Sequence, residues 1–300
     1  MTDVAVVGHF SIDSILLPNL SNSTVALGGA VTYVSLVARR LGATASVISR
    51  VGGDFPHVYT EWLKQEGIDL SGVVRIETEQ TTRFELQYCD SFSERALRLK
   101  SRASSLSPID VPVSFSAKVI HLAPIAGEVS FELAELLRSR AEILSLDAQG
   151  ILRSVDSAGN ISLSSTADRR TLESANILKC SLNEIQILTS KFDLQSSIKA
   201  IHDLGITTVI VTMGARGAVL SVEGAFYEVP PFNSRTVVDP TGAGDVFVGG
   251  FLTELVRGRD PFWCACVGSG AASIVVEGIG PSCLGEKEEI YRRAQAIFGK

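Results

Sequence analysis

The sequence predicts an α/β fold in which a mainly parallel sheet is flanked by helices, with a small separate β-sheet as a lid. Short apolar runs alternate along the chain with segments of helical periodicity, which is typical of parallel strands joined by crossover helices. One region instead alternates polar and apolar residues, which predicts a second sheet with one solvated face. Apolar residues make up 45% of the 300 positions, enough for a large core. Since no linker rich in Pro, Gly or Ser divides the chain, we expect one domain over residues 1–300.

The elements of the main layers follow from local periodicity. Buried strands are predicted for residues 4–8, 44–49, 118–122, 142–147, 176–180 and 207–212. Helices are predicted for residues 30–41, 129–138, 196–203, 243–257, 261–277 and 286–298, with Gly42 ending the first of them. Ligands of such sheets bind at the carboxyl ends of the strands.

The lid is predicted from two segments, at about 13–28 and 74–100. Residues 83–89 alternate strictly, with Phe84, Leu86 and Tyr88 on one face, and a polar turn at 90–94 leads to a return strand at 97–99. Residues 14–17 and 24–27 form a second extended pair. A lid over a ligand site and a sheet used only for dimer contact are the two interpretations.

Charge and cysteine content exclude several classes of function. The net charge is −6 and no run of Lys and Arg is present, so nucleic-acid and anionic-membrane partners are disfavoured. The five cysteines are irregularly spaced, which argues against a disulfide framework. Since no apolar stretch reaches about 18 residues and no basic leader is visible, we expect a cytoplasmic protein.

The most informative segment is Val-Val-Asp-Pro-Thr-Gly-Ala-Gly-Asp at residues 237–245. A helix beginning near Ala243 presents free backbone N–H groups and partial positive charge, and Gly242 and Gly244 let an anion approach the backbone. These features suit a transferring phosphoryl group. Asp245 in the same turn is placed to accept a proton from an alcohol, and Asp239 just before it is a candidate cation ligand.

This segment closely resembles the second signature of the PfkB, or ribokinase-like, carbohydrate kinases. The first signature of that family is matched more loosely by Gly28-Gly29-Ala30, the following helix, and residues 51–54. The resemblance extends from about residue 4 to about residue 279. It implies a three-layer fold with a β-lid over the sugar site, and ATP and Mg²⁺ as cofactors; dependence on a monovalent cation is left open.

The resemblance also assigns residues to the reaction. It implies that Asp245 is the catalytic base and that Gly242, Ala243 and Gly244 form the anion hole. Acceptor-binding positions are then Asp13, Gly28 and Gly29. The nucleotide-binding positions that it implies are Thr212, Gly214 and Gly217 in a turn after a strand, Asn183, and Gly270 near the adenine.

Three positions depart from the family pattern. Thr32-Tyr33 replaces an Asn that often follows the glycine pair, which puts a ribose clamp in doubt. The family's Asn-x-x-Glu is read here as Asn183 to Gln186, so Mg²⁺ would rely on Glu184, or on Asp239 and substrate phosphates. Asp147, Gln149 and Arg153 resemble a string found in archaeal and plant inositol kinases. They are candidates for binding hydroxyls and phosphate, with a polar surface loop as the alternative.

These observations predict an ATP-dependent kinase of a small polyol, most simply a cyclitol such as myo-inositol. Kinases of ribose, of a nucleoside or of a keto-deoxy sugar acid are open alternatives. A nucleotide or sugar sensor without turnover is a second class, motivated by Gln186. A dinucleotide enzyme is disfavoured because no G-x-G-x-x-G follows the first strand. The edges of the lid strands suggest a homodimer formed through the lid.

Overall fold

The computed structural model of the chain describes residues 1–18, 21–88, 95–165, 167–234 and 236–299. Among these residues the main sheet has nine strands, and all of them run in the same direction except the eighth in chain order, which is antiparallel to both of its neighbours. In chain order these strands are β1 Thr2–Val7, β4 Ala45–Gly52, β5 Ile68–Ile76, β8 Ala117–Leu122, β9 Ala141–Asp147, β12 Ile177–Ser181, β13 Thr208–Thr212, β14 Ala218–Val222 and β15 Ala225–Val229. Their spatial order is β15-β14-β13-β12-β9-β8-β1-β4-β5. The predicted parallel sheet is confirmed.

Helices cover both faces of the main sheet. They are α1 Ala30–Arg40, α2 His57–Gln65, α3 Phe131–Arg138, α4 Gln149–Leu152, α5 Arg169–Glu173, α6 Leu182–Thr189, α7 Leu194–His202, α8 Ala243–Leu255, α9 Pro261–Val275 and α10 Lys287–Phe298. Successive residues of β1 belong to different cores: Val4 and Val6 pack with α1, α8 and α9, whereas Ala5 and Val7 pack with α3 and α7. A central strand buried on both faces explains why β1 reads as a continuous apolar run.

The lid is a separate four-stranded sheet with the order β3-β2-β6-β7. Its strands are β2 Ser11–Leu16, β3 Thr24–Gly28, β6 Thr82–Tyr88 and β7 Arg95–Ser101. The predicted lid is therefore confirmed, and it begins at Thr82 rather than near 74 because β5 runs on to Ile76 in the main sheet. The predicted turn at 90–94 lies outside the described residues.

A short hairpin extends the lid on one side. Its strands, β10 Arg153–Val155 and β11 Ile161–Leu163, pair with each other, and an isolated bridge joins Asn160 to Arg98 of β7. On the other side β2 is the one strand of the described residues that pairs with β3, and Val25 is exposed. Among the described residues no helix is both long and apolar enough to cross a bilayer.

Candidate active site

A cleft of about 130 Å³ lies between the lid and the carboxyl edge of the main sheet. The lid contributes apolar side chains, namely Phe84, Leu86 and Leu97. Strand β2 of the lid adds the polar Ser11 and Asp13, and the rest of the lining is mostly polar groups and backbone: Gly29, Tyr33, Gln149, Arg153, Lys179 and residues 240–245. The cleft therefore has an apolar roof and a polar floor, which orients a ligand bearing hydroxyl groups.

The anion hole predicted at Gly242, Ala243 and Gly244 is the first turn of α8. Gly242 is the N-cap residue with φ +79°, and no side chain caps the turn. The Ala243 N–H makes only a long hydrogen bond of 3.3 Å to the Pro240 carbonyl, and the helix dipole places partial positive charge on this turn, which suits an anion. Asp245 lies in the same turn, half-buried, and lines the cleft. The structure thus brings the predicted base and the predicted anion hole together.

Tyr33 of α1 lies directly beneath this turn. A Cβ built on Gly242 would lie 2.5 Å from the Tyr33 ring, so only glycine fits there. The Tyr33 hydroxyl is buried and has no hydrogen-bond partner among the described residues. Burial raises the pKa of Tyr33 well above its usual value, and the charges of Asp13, Asp239 and Asp245 raise the pKa further. The tyrosine that replaces the family asparagine is therefore a neutral wall of the cleft.

A chain of hydrogen bonds connects the lid to the loop before α8. The hydroxyl of Tyr88 in β6 lies 2.8 Å from Oγ1 of Thr241. Thr241 donates from Oγ1 and from its backbone N–H to Oδ1 of Asp239, at 2.6 and 2.9 Å. The other oxygen of Asp239, Oδ2, is buried and has no hydrogen-bond partner in the part of the chain that the structure describes. An unsatisfied buried carboxylate oxygen suits a cation ligand, which fits the predicted role of Asp239.

The predicted acceptor-binding residues Asp13, Gly28 and Gly29 lie together at the other side of the cleft. Asp13 lies in β2, which pairs with β3. A Cβ built on Gly28 of β3 would lie 1.9 Å from Oδ2 of Asp13. Gly29 has φ +86°, and a Cβ there would lie 2.4 Å from the carbonyl oxygen of His9. The glycine pair therefore lets the backbone pass close beside the Asp13 carboxylate.

Residues 147–153 lie partly in the cleft and partly buried beneath it. Gln149 and Arg153 line the cleft, and Arg153 donates to the carbonyl of Ile125 at 2.6 Å while lying over the Phe84 ring. Asp147 is only 1% exposed, and both of its oxygens are engaged, one with the backbone N–H of Gln149 and one with Lys179. Asp147 thus lies beneath the cleft with both oxygens engaged, and its predicted role in binding hydroxyls stays a prediction.

The predicted nucleotide-binding residues are spread over three places. Thr212 ends β13, and Gly214 and Gly217 follow it in a turn with φ +58° and +86°. Asn183 is exposed on the first turn of α6. Gly270 faces α10, since a Cβ there would lie 2.9 Å from the carbonyl oxygen of Ile290. Close helix packing is therefore a sufficient reason for Gly270, and its predicted contact with adenine is not supported by this packing.

The structure also changes the reading of the Asn-x-x-Glu segment. Ser181 caps α6 by accepting from the N–H of Glu184, and Glu184 Oε2 accepts from the N–H of Ser181 at 2.7 Å. Gln186 instead donates to the carbonyl of Phe192. Ser181 and Glu184 are thus linked at the spacing of the family pattern, while the assignment of that pattern to Asn183 and Gln186 stays a prediction. Among the described residues no three His, Cys, Asp or Glu side chains cluster closely enough to hold a metal alone.

Comparison with known proteins agrees with this geometry. The profile of the pfkB family carbohydrate kinases matches residues 1–286. The chain belongs to the pfkB family. This family member is 29% identical over 285 residues to a cytidine kinase of Thermococcus kodakarensis, covering 93% of this chain and 98% of that protein. It is 30% identical to a nucleoside kinase of Methanothermobacter thermautotrophicus, and the match covers 99% of this chain and 97% of that protein. An inositol 3-kinase of Arabidopsis thaliana is 29% identical, covering 92% and 74%.

Solved structures share the fold of this pfkB-family kinase. The nucleoside kinase of Methanocaldococcus jannaschii has a TM-score of 0.82 at 24% identity, covering 99% of both chains. A pyrophosphate-dependent kinase in complex with a pyrophosphate analogue and myo-inositol has a TM-score of 0.80 at 22% identity, covering 96% and 99%. A pyrophosphate-dependent myo-inositol-1 kinase converted into a myo-inositol-3 kinase has a TM-score of 0.82 at 23% identity, covering 98% and 99%.

Sequence reasoning missed several residues of the cleft. Lys179 is the most consequential, because it is a lysine inside an otherwise apolar strand. That placement is itself a signal, since lysine is almost never fully buried without a partner. The bond between Tyr88 and Thr241 left no such signal, because it joins residues far apart in the chain.

Proposed function

We propose that this kinase transfers the γ-phosphoryl group of ATP to a hydroxyl of a cyclitol such as myo-inositol. The observation that carries the proposal is the cleft, where the uncapped first turn of α8 and the Asp245 carboxylate face a small polar floor under an apolar lid. A base beside an anion-binding helix terminus suits phosphoryl transfer to an alcohol.

The chemistry follows from the placement of these groups. The donor's terminal phosphoryl group would rest on the N–H groups of residues 243–245, with the acceptor hydroxyl next to Asp245. The acceptor oxygen forms a bond to phosphorus as the bond to the ADP oxygen breaks, and ADP leaves with that electron pair. Asp245 takes the acceptor proton. Lid closure excludes water as a competing acceptor.

Two buried carboxylates, Glu184 and Asp239, would bind the cations that assist the transfer. Mg²⁺ binds to proteins through one or two carboxylates plus substrate phosphates, which matches the scarcity of clustered ligands here. Glu184 is the candidate for Mg²⁺, and Asp239, with its unpartnered Oδ2, is the candidate for Mg²⁺ or a monovalent cation. A fructokinase of the same fold has been solved with ADP and potassium ion bound.

The size of the cleft favours a single-ring acceptor. Its volume of about 130 Å³ is well below the roughly 300 Å³ at which pockets for drug-sized ligands begin. One six-membered ring with hydroxyl groups suits that space better than a sugar carrying a base. Ser11 Oγ, buried and without a partner, offers a further contact to a hydroxyl.

The lid gives a second reason to favour a cyclitol. Leu86 and Leu97 are directly paired across β6 and β7, eleven positions apart, and both line the cleft. In the converted myo-inositol kinase, two substitutions to leucine eleven positions apart changed a 1-kinase into a 3-kinase. The same spacing of leucines supports phosphorylation of the 3-hydroxyl here.

A nucleoside acceptor is the second candidate. It is favoured by the nucleoside kinases that match nearly the whole chain. The apolar roof, with the Phe84 ring, would have to open and stack on a base.

An acceptor panel separates the candidates. The purified protein is incubated with ATP, or with pyrophosphate, and with myo-inositol, cytidine, adenosine, ribose or a keto-deoxy sugar acid, and the products are identified by ³¹P NMR and mass spectrometry. We expect kcat/KM to be highest for ATP with myo-inositol, giving the 3-phosphate. Turnover of cytidine but not of myo-inositol would overturn the cyclitol proposal.

The leucine pair is tested with two variants. Leu86→Asn with Leu97→Ser should shift the position of the phosphate on myo-inositol. The control is Leu99→Ser, since Leu99 lies in the same strand but is not among the cleft-lining residues. An unchanged product ratio in the double variant would contradict the assignment.

The predicted homodimer stays a proposal. The edge of β3 carries the exposed Val25 and is the surface at which lids of two copies would pair. Sedimentation velocity of the wild type and of Val25→Lys tests it, with dissociation expected for the variant and a monomeric wild type as the contrary result.

A further inference from the structure

A buried ammonium group lies under the first turn of α8. Lys179 belongs to the central strand β12, and its side chain is 5% exposed. Its Nζ donates to Asp147 Oδ2 at 2.8 Å, and Asp147 lies directly opposite it in the neighbouring strand β9. A buried charge is expensive to hold, and replacing such a pair with apolar residues is often neutral or stabilising. Folding alone therefore does not account for a lysine at this position.

The ammonium group reaches the cleft at the anion hole. Lys179 lines the cleft together with residues 242–245. A Cβ built on Gly244 would lie 2.8 Å from Nζ and 3.2 Å from Cε, so the lysine tip lies close beside the backbone that would hold the phosphoryl group. Glycine at 244 is what lets the ammonium group approach so closely.

The charges around Lys179 keep it protonated. Burial acts to lower its pKa, but the carboxylates of Asp147, Asp245 and Glu184 outweigh burial and raise the pKa above its usual value. One of its three N–H donors is used by Asp147, which fixes the position of the group. The ammonium group is therefore a positive charge within electrostatic reach of both the predicted base, Asp245, and the predicted Mg²⁺ ligand, Glu184.

The chemistry of the site gives this charge a use. The terminal phosphoryl group brings negative charge into a cleft where Asp13, Asp239 and Asp245 are also acidic. Backbone N–H groups supply only partial charge. A preorganised cation in a partly desolvated site stabilises charge on the transferring group far more than it would in water.

We propose that Lys179 is a catalytic residue that contacts the transferring phosphoryl group together with the N–H groups of residues 243–245. The inference rests on the proposed phosphoryl transfer and adds to it a donor that no family signature predicted. Lys179 keeps its proton throughout, while the acceptor proton passes to Asp245. Asp147 is the positioning residue that holds the ammonium group.

The decisive comparison is between Lys179→Met and the double variant Lys179→Met with Asp147→Asn. Methionine fills similar space without charge, but leaves a buried carboxylate unpaired. The asparagine removes that charge, and its Oδ1 still accepts from the N–H of Gln149. We expect kcat to fall about 100-fold or more in both variants, the range for loss of one oxyanion donor. Recovery of wild-type kcat in the double variant would show that Lys179 only neutralises Asp147 and would overturn the proposal.

A binding measurement separates catalysis from folding. Calorimetry compares the affinity for Mg²⁺-ADP with that for Mg²⁺-ADP plus aluminium fluoride, which resembles the transferring group. Lys179→Met should bind Mg²⁺-ADP within about threefold of wild type and lose most of the extra affinity that the fluoride confers. Equal losses for both ligands would assign Lys179 a structural role and overturn the proposal.

A matched control uses a lysine in the same sheet. Lys118 of β8 also donates to an aspartate at 2.8 Å, Asp3, but it is 40% exposed and lies at the amino end of its strand. Lys118→Met should leave kcat unchanged. Each comparison is made with whichever acceptor the wild type phosphorylates, so a wrong acceptor leaves this test intact. If the wild type phosphorylates none, the proposed function fails, and the fluoride measurement still decides whether Lys179 binds the anion.

Discussion

The contact between Gly244 and Lys179 predicts that the smallest possible substitution separates activity from stability. In Gly244→Ala the new Cβ would lie 2.8 Å from Nζ, whereas an ordinary contact starts near 3.4 Å, so Nζ must retreat by about 0.6 Å. Because Nζ is the end of a side chain, it can shift by this amount without any movement of the backbone. Since misplacement of a catalytic group by about 1 Å costs up to 100-fold in rate, we expect kcat to fall between about 10- and 100-fold.

The same substitution should hardly affect folding. Gly244 lies within α8 and its φ is not positive, so alanine is favoured there by roughly 0.5–1 kcal/mol, which offsets the strain on Lys179. Steady-state kinetics and thermal unfolding measure the two effects on one preparation. Full activity at unchanged stability would refute the role of the Lys179 position.

The matched control is Gly250→Ala in the same helix. Its Cβ would lie 3.1 Å from the Gly268 Cα of α9, away from the cleft, so rigid backbone opposes it. We expect Gly250→Ala to lower the melting temperature and to leave kcat per folded molecule unchanged. If Gly250→Ala lost activity like Gly244→Ala, the loss would reflect the helix as a whole and not the contact with Lys179.

Two further predictions concern the lid and the pH dependence of stability. Tyr88→Phe removes the hydroxyl that bonds to Thr241, a contact worth about 0.5–1.5 kcal/mol net, so we expect KM for the acceptor to rise about 2- to 10-fold; an unchanged KM would mean that this bond does not hold the lid closed. Complete burial lowers the pKa of His121 to about 4, so the folded state resists a proton that the unfolded chain takes up near pH 6.5. The contribution of neutral His121 to the free energy of unfolding is therefore present above pH 6.5 and is lost as the pH falls towards 4. About 2 kcal/mol of this contribution is lost between pH 7 and 5. Urea unfolding should show this loss in the wild type and a smaller loss in His121→Gln, and parallel losses would contradict it.

The fold was largely predictable because its signals are local. Central strands such as β1 and β13 are apolar runs, and α8 begins at the predicted Ala243. The antiparallel hairpin β14–β15 was not predicted, since four of the five residues of β15 are exposed and show no alternation. β5 was missed for a similar reason, with its mixed pattern of burial at the edge of the sheet.

The site was predictable where chemistry and sequence neighbourhood coincide. Gly242, Gly244 and Asp245 occupy one helical turn, so their spacing alone gives the site. The pairing of Lys179 with Asp147 depends on the register of two strands whose paired positions are 32 residues apart, which no local pattern shows. For the same reason no local pattern indicated that Asp147 bonds to a lysine.

The central claim is that Asp245 accepts the proton of a hydroxyl that attacks a phosphoryl group seated on the first turn of α8. The most direct test is the kcat of Asp245→Asn, measured by ³¹P NMR with the best acceptor, alongside calorimetric affinities for the acceptor and for Mg²⁺-ADP. We expect kcat to fall at least about 100-fold while both affinities stay within a few-fold of wild type. Wild-type turnover in Asp245→Asn would contradict the account, as would a wild-type protein that binds these ligands and transfers no phosphate.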